Sequence, residues 1–243
     1  MHTYDPEFYD YSSRLNRASA QVIVSWLLKQ LPITSVVDFG CAQGMWLETW
    51  QQHGVEDVIG FDGEYVQLDK LRIAPHRFKC GDLAQPVNLG RSFVLTQCLE
   101  VAEHLPPESS DTLVANLVRH SSLILFSAAP PGQGGCYHIN EQPYSYWQQK
   151  FQSHNYRLVD VVRPALLEHR EVNAWYRYNL FIFLREDLLP QMPDGWRKHL
   201  LERDVSPVDI SPLHYRIRKH LIRVLPFWLK EKLADFAARR PGI

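Results

Sequence analysis

The chain is poor in the features that mark several whole classes of protein. Its four cysteines, Cys41, Cys80, Cys98 and Cys136, stand singly with no CxxC pair, which excludes the usual zinc spacings and offers no disulfide framework. Reduced thiols, and with them a cytoplasmic setting, are the expectation. No stretch reaches the roughly eighteen apolar residues that span a bilayer. The opening MHTYDPEFYDY has neither the basic start nor the apolar run of a secretory signal. A net charge of −1 argues against a protein that wraps nucleic acid over its whole surface. There is no internal repeat or low-complexity tract, and no HExxH or other ligand cluster suggests a metal, which leaves metal dependence open.

What is present suits one globular unit. At 243 residues, 45% hydrophobic and 22% charged, the chain can bury a sizeable core and is not disordered throughout. Residues 16 to 31 place Ala20, Ile23, Val24, Leu27, Leu28 and Leu31 at helical spacing, with Pro32 closing the run. Strand patterns at 35–39, 57–61, 77–81, 93–97 and 122–128 alternate with helical patterns at 43–53, 64–71 and 108–119, which implies a parallel sheet covered on both faces. The loop PPGQGGCYHINEQP follows, then a helix at about 143–153 and two strand patterns, YRLVDVVR and NLFIFLRE, joined by an aromatic segment. Residues 1–186 read as the catalytic domain, and 187–243 as a C-terminal extension with a basic amphipathic helix.

The segment VVDFGCAQG at 36–44 carries the most information. A buried strand ends in Asp38 and turns through small residues into the helical MWLETWQQH, so that a nucleotide-like ligand can approach backbone N–H groups. VIGFD then sets Asp62 at the end of the next strand, where an acid can reach a ribose. A dinucleotide fingerprint would need Gly at positions held here by Ala42 and Met45, which disfavours a nicotinamide cofactor.

The pattern resembles the first motif of class I S-adenosylmethionine (SAM) dependent methyltransferases, and TQCLEVAEHLPPE is close to the phrase that follows the fourth strand in many small-molecule members. HINEQPYSYWQQKFQSHNYRL and AWYRYNLFIF are similar to phrases of bacterial methyltransferases encoded among polysaccharide and glycoconjugate genes. The resemblance covers roughly residues 4–186. It implies a Rossmann-like α/β fold, a seven-stranded mostly parallel sheet with an antiparallel last strand and helices on both faces, followed by the helical extension.

The resemblance also assigns roles. Asp38 orients the loop near the methionine ammonium, while Gly40, Cys41, Ala42 and Gly44 supply backbone contact. Asp62, with Gly63 beside it, accepts the ribose hydroxyls. Asp82, after Gly81, reads the adenine amine, with Leu83 offering its N–H. Cys98 and Leu99 line the sulfonium side, and Glu100 stands at the mouth. Each Asp has an alternative as a helix cap or turn residue.

His138, after the fifth strand, is the first candidate for the base that takes the acceptor's proton, and His104 the second. Their alternatives are a hydrogen-bonding strut and a loop cap. Arg177 is a candidate substrate contact, and Asn140 and Glu141, with less support, are candidate substrate or loop-ordering contacts, although Trp175 and Tyr178 can equally pack beneath the sheet edge.

From Tyr215 onward eight Lys or Arg interleave with apolar residues. This suits an interfacial helix on anionic lipid, or a helix packed on the domain or on another subunit, with Pro226 interrupting it. The expectation is thus O-methylation of a sugar or other small hydroxylated acceptor in glycan biosynthesis. The alternatives are a carboxyl or nitrogen acceptor and a non-catalytic SAM-binding subunit. Peripheral membrane contact and a homodimer are further expectations; nucleic acid is not expected as a partner.

Overall fold

A computed structural model describes the backbone of residues 6–238. The side chains of 6–15, Phe227, Glu231 and 235–238 are not described, so expectations for the first residues and for the end of the basic tail lie outside it.

Seven strands form one sheet in the order β3-β2-β1-β4-β5-β7-β6. They are β1 (Ser35–Phe39), β2 (Asp57–Asp62), β3 (Phe78–Cys80), β4 (Leu95–Leu99), β5 (Leu123–Ser127), β6 (Tyr156–Val159) and β7 (Phe181–Arg185). The first five are mutually parallel, and β7 runs antiparallel to both β5 and β6. Helices cover both faces. On one lie α1 (Pro6–Gln30) and α2 (Met45–Gln52); on the other lie α3 (Ser110–His120) and α4 (Tyr144–Gln152).

Alternation within each strand feeds the two cores. Val36, Leu123 and Leu125 point to the α1–α2 side with Leu27 and Trp50, whereas Val37, Ile124 and Phe126 point to the α3–α4 side with Leu117 and Phe151. A strand buried on both faces has no polar alternation, which is why β5 reads as an unbroken apolar run from Leu123 to Phe126. Phe183 of β7 stacks on Phe151 with ring centroids 3.9 Å apart, which locks α4 over the antiparallel edge.

Three expectations differ from the structure. The opening helix begins at Pro6 rather than at residue 16. The span 64–71 is not an α-helix but a loop with a single 3-10 turn at Leu68–Lys70. Its anchors are Val66 and Ile73, seven apart with Leu68 exposed between them, which is too sparse for a helical face. The strand expected across YRLVDVVR stops at Val159. A short helix, α5 (Val162–Leu166), follows because the wholly buried Arg163 turns back to Asp160, donating from Nε at 2.8 Å and from Nη2 at 2.6 Å. A further helix, α6 (Ala174–Asn179), leads into β7.

The chain after β7 packs back onto the domain. Trp196 is buried and stacks on Trp26 of α1 at 6.3 Å, and Leu201 N–H donates to Leu158 O at 3.0 Å. Helix α7 (Leu213–Arg223) then lies against the loop that follows β5, and α8 (Phe227–Ala238) follows. Among the described residues no helix is long and apolar enough to cross a membrane.

Candidate functional site

Strand order reverses direction between β1 and β4, and at that switch point an open α/β sheet forms its binding crevice. The loop from β1 to α2 turns there through three left-handed residues, Gly40 (φ 87°), Ala42 (φ 47°) and Gly44 (φ 83°). Gly40 is required on two grounds. Its φ disfavours any L side chain, and a Cβ there would stand 2.3 Å from Val101 Cγ2. Ala42 holds a conformation unusual for alanine because its N–H donates to Asp62 Oδ2 at 2.6 Å.

Asp62, buried at the tip of β2, therefore ties into the glycine loop. Its Oδ1 accepts from Gly63 N–H at 2.7 Å and from the Tyr65 hydroxyl. Burial raises its carboxyl, and the bonds from Tyr65, Gly63 and Ala42 work against that rise. Asp38 lies beside it, buried at the end of β1 opposite Gly60 and Gln97. Burial pushes Asp38 up to about 8; the Gln97 side chain offsets part of this, and the Asp62 charge adds to it. Gln97 is held from behind by Trp50 Nε1–H at 2.8 Å.

The other expected cofactor residues divide. Cys41, Cys98 and Leu99 are buried at the ends of β1 and β4, where burial and the neighbouring carboxylates keep both thiols protonated. Gly63 packs against the Tyr65 ring. Asp82 is exposed and caps its own turn, with Oδ1 accepting from Ala84 N–H at 2.9 Å, while Leu83 is buried.

At the tip of β4 the chain is strained again: Glu100 has φ 55°. A directed relay holds it. Tyr144 OH donates to Asn179 Oδ1 at 2.8 Å, Asn179 Nδ2 to Gln133 Oε1 at 2.5 Å, and Gln133 Nε2 to Glu100 Oε2 at 2.7 Å. Glu103 is fully buried, and neither of its oxygens has a well-formed hydrogen bond. Burial, then the Glu100 charge, holds its carboxyl well above the usual range.

His104 and His138 meet edge to face, with centroids 4.9 Å apart. His138 Nδ1 pairs with Glu141 Oε1 at 3.1 Å, and Glu141 in turn accepts from Gly132 and Gly134 N–H, each at 2.7 Å. Burial opposes ionisation of Glu141, but these bonds hold its carboxyl below the ordinary value. His104 Nδ1 faces Tyr137 O at 3.3 Å, and burial with the neighbouring His138 lowers it to about 3.

Of the candidate substrate contacts, Asn140 takes its loop-ordering alternative and Arg177 caps a turn. Asn140 is buried, donating to Ala102 O and Ser110 Oγ and accepting from Gln142 Nε2, so it is a strut that ties the loop to the β4 tip. Arg177 donates to Val172 O from Nε at 3.1 Å and from Nη2 at 2.8 Å, capping the turn before α6. Nearby Tyr176 is buried edge-on to Trp46 at 5.2 Å. Sequence reasoning passed over Gln133, Tyr144, Asn179 and Glu103 as site residues. Only Glu103 carries a signal, as the acid next to His104 in AEHLPP.

No family model and no curated protein matches the chain by sequence. The solved structures do match in fold. DesVI of Streptomyces venezuelae superposes with a TM-score of 0.58 at 15% identity, covering 76% of this chain and 100% of that one. An O-methyltransferase family protein of Burkholderia thailandensis gives 0.56 at 14%, over 73% and 58%. A magnesium protoporphyrin IX methyltransferase of Synechocystis, solved with bound SAM, gives 0.52 at 16%, over 76% and 86%. The chain thus has the Rossmann-like fold of these methyltransferases; at such identities the likeness is one of fold.

Proposed function

We propose that this chain transfers a methyl group from SAM to an oxygen of a sugar or other small hydroxylated acceptor in glycan or glycoconjugate biosynthesis. The observation that carries the reading is Asp62, set at the switch point and bonded to the backbone of the glycine loop. A carboxylate there matches a vicinal diol, so the ribose takes the place of the Tyr65 hydroxyl on Oδ1. Asp38 faces the methionine ammonium. Because the sulfonium is already activated, the protein chiefly aligns acceptor oxygen, methyl and sulfur and excludes water.

The acceptor hydroxyl still has to lose its proton. His138, oriented by Glu141 through Nδ1, takes it at Nε2 in the metal-free protein. Helix α7 adds a location. Its exposed Leu213, Ile217, Leu221 and Val224 recur at helical spacing beside Arg216 and Arg223, a face suited to an anionic lipid surface that carries a lipid-linked acceptor. Incubation with methyl-labelled SAM and fractionated glycan or lipid-linked intermediates tests the reading. Label in a base-stable ether supports it. Label in a base-labile ester or an amine redirects it to a carboxyl or nitrogen acceptor, and tight SAM binding without transfer redirects it to a binding subunit.

A further inference from the structure

One group of side chains is left over by cofactor binding. Glu103, His104 and His138 each present a ligand atom, and the three atoms lie within 4.8 Å of one another. Glu103 and His104 are neighbours on the 3-10 turn Ala102–His104 at the tip of β4, and His138 comes from the loop after β5. We propose that Glu103, His104 and His138 form a binding site for a divalent transition-metal ion of the Mn2+, Co2+ or Zn2+ kind.

Three observations support the site. Glu103 is wholly buried, neither of its oxygens has a well-formed hydrogen bond, and the Glu100 carboxyl lies beside it, an arrangement that a cation relieves. Each imidazole directs its Nδ1 at an oxygen, His138 at Glu141 and His104 at Tyr137 O. That is how a second shell orients a ligating imidazole. Glu141 is itself pinned by two backbone N–H groups, so His138 is oriented before any ion arrives. Finally, two nitrogens and one carboxylate suit borderline transition metals better than Mg2+ or Ca2+, which prefer all-oxygen shells.

Three protein ligands leave coordination positions open to an oxygen of an incoming molecule. In the metal-loaded protein the His138 lone pair lies on the ion. A cation held there would make a bound acceptor hydroxyl more acidic. The site itself does not depend on the methyl-transfer reading, because it uses none of the residues assigned to SAM.

The test takes the full chain, strips it with chelator and titrates it with Co2+ and Mn2+. One saturable equivalent is expected, and pulsed EPR of the Mn2+ form should detect two coordinating imidazole nitrogens. Glu103→Gln and His138→Ala should each weaken binding by at least about tenfold, with circular dichroism confirming the fold. Unchanged affinity in a folded His138→Ala protein overturns the proposal. So does a wild-type spectrum with fewer than two imidazole nitrogens, which needs no variant. SAM affinity of the stripped protein separates the readings: intact SAM binding without cation binding defeats the metal site alone, and the reverse defeats methyl transfer alone.

Discussion

The Ala42 N–H donates to Asp62 Oδ2 at 2.6 Å, joining the turn after β1 to the tip of β2. One carboxylate thereby shapes the loop and faces the place where a ribose would lie. Removing it should harm both loop and ligand, because a hydrogen bond to a charged group contributes about 1.5–3 kcal/mol.

Asp62→Asn is accordingly expected to raise the SAM dissociation constant by roughly 10- to 100-fold, measured by titration calorimetry. Tyr65→Phe removes the competing donor on Oδ1 and should tighten SAM binding. Unchanged affinity in the Asp62 variant would show that the ribose binds elsewhere.

Gly40 and Gly54 both have positive φ, near 87° and 90°, but only Gly40 faces a neighbour, Val101. Gly54→Ala should cost about 1 kcal/mol of stability from backbone strain alone. Gly40→Ala should cost clearly more, and Val101→Ala should recover part of the difference. Thermal or denaturant melts of the four proteins check this, and equal losses at the two glycines would contradict the packing.

Asp38, pushed up to about 8 by burial, gives a signed pH dependence. Its folded pKa is above the unfolded value, so its contribution to stability is complete below about pH 4 and is lost as pH rises through 8. SAM binding should run the other way, since an ammonium favours the ionised carboxylate. Affinity should rise from pH 6 to 8, with proton release detectable by calorimetry in buffers of different ionisation enthalpy. Asp38→Asn should abolish the release; its persistence would assign the proton to another group.

His138→Ala should leave SAM affinity within about twofold of wild type and slow transfer by roughly 100-fold or more, read in single-turnover assays with labelled SAM. A parallel loss of SAM binding would instead make His138 part of the cofactor pocket.

The exposed stripe on α7 predicts sedimentation with anionic vesicles but not with neutral ones. Ile217→Asp with Leu221→Asp should abolish it while leaving the melting temperature nearly unchanged, because neither side chain is buried. Equal sedimentation of wild type and variant would remove the lipid surface from the account.

How much of this was legible in the sequence depended on whether the signal was local. β1, its glycine loop and α2 are spelled out by adjacent residues, since a two-faced buried strand and a left-handed turn leave composition marks. The strand misread past Val159 failed because Val161 and Val162 carry strand propensity, whereas the deciding partner, the Arg163–Asp160 pair, is stabilised by tertiary burial. Asn140 and Arg177 are polar residues in segments that follow β5 and precede β7. Their bonds to Ala102 O and Val172 O leave no trace in a string of letters. The Tyr144–Asn179–Gln133–Glu100 relay joins three segments and was invisible for the same reason.

Gly132 sits so close to α7 that an added Cβ would lie 2.0 Å from the Lys219 carbonyl oxygen, and Arg218 donates from Nη1 to Gln133 O at 3.2 Å. Gly132 also donates to the Glu141 that orients His138. Two residues, Gly132 and Glu141, thus join the backbone of α7 to the His138 imidazole, so whatever sets the place of this helix also bears on the orientation of that ring.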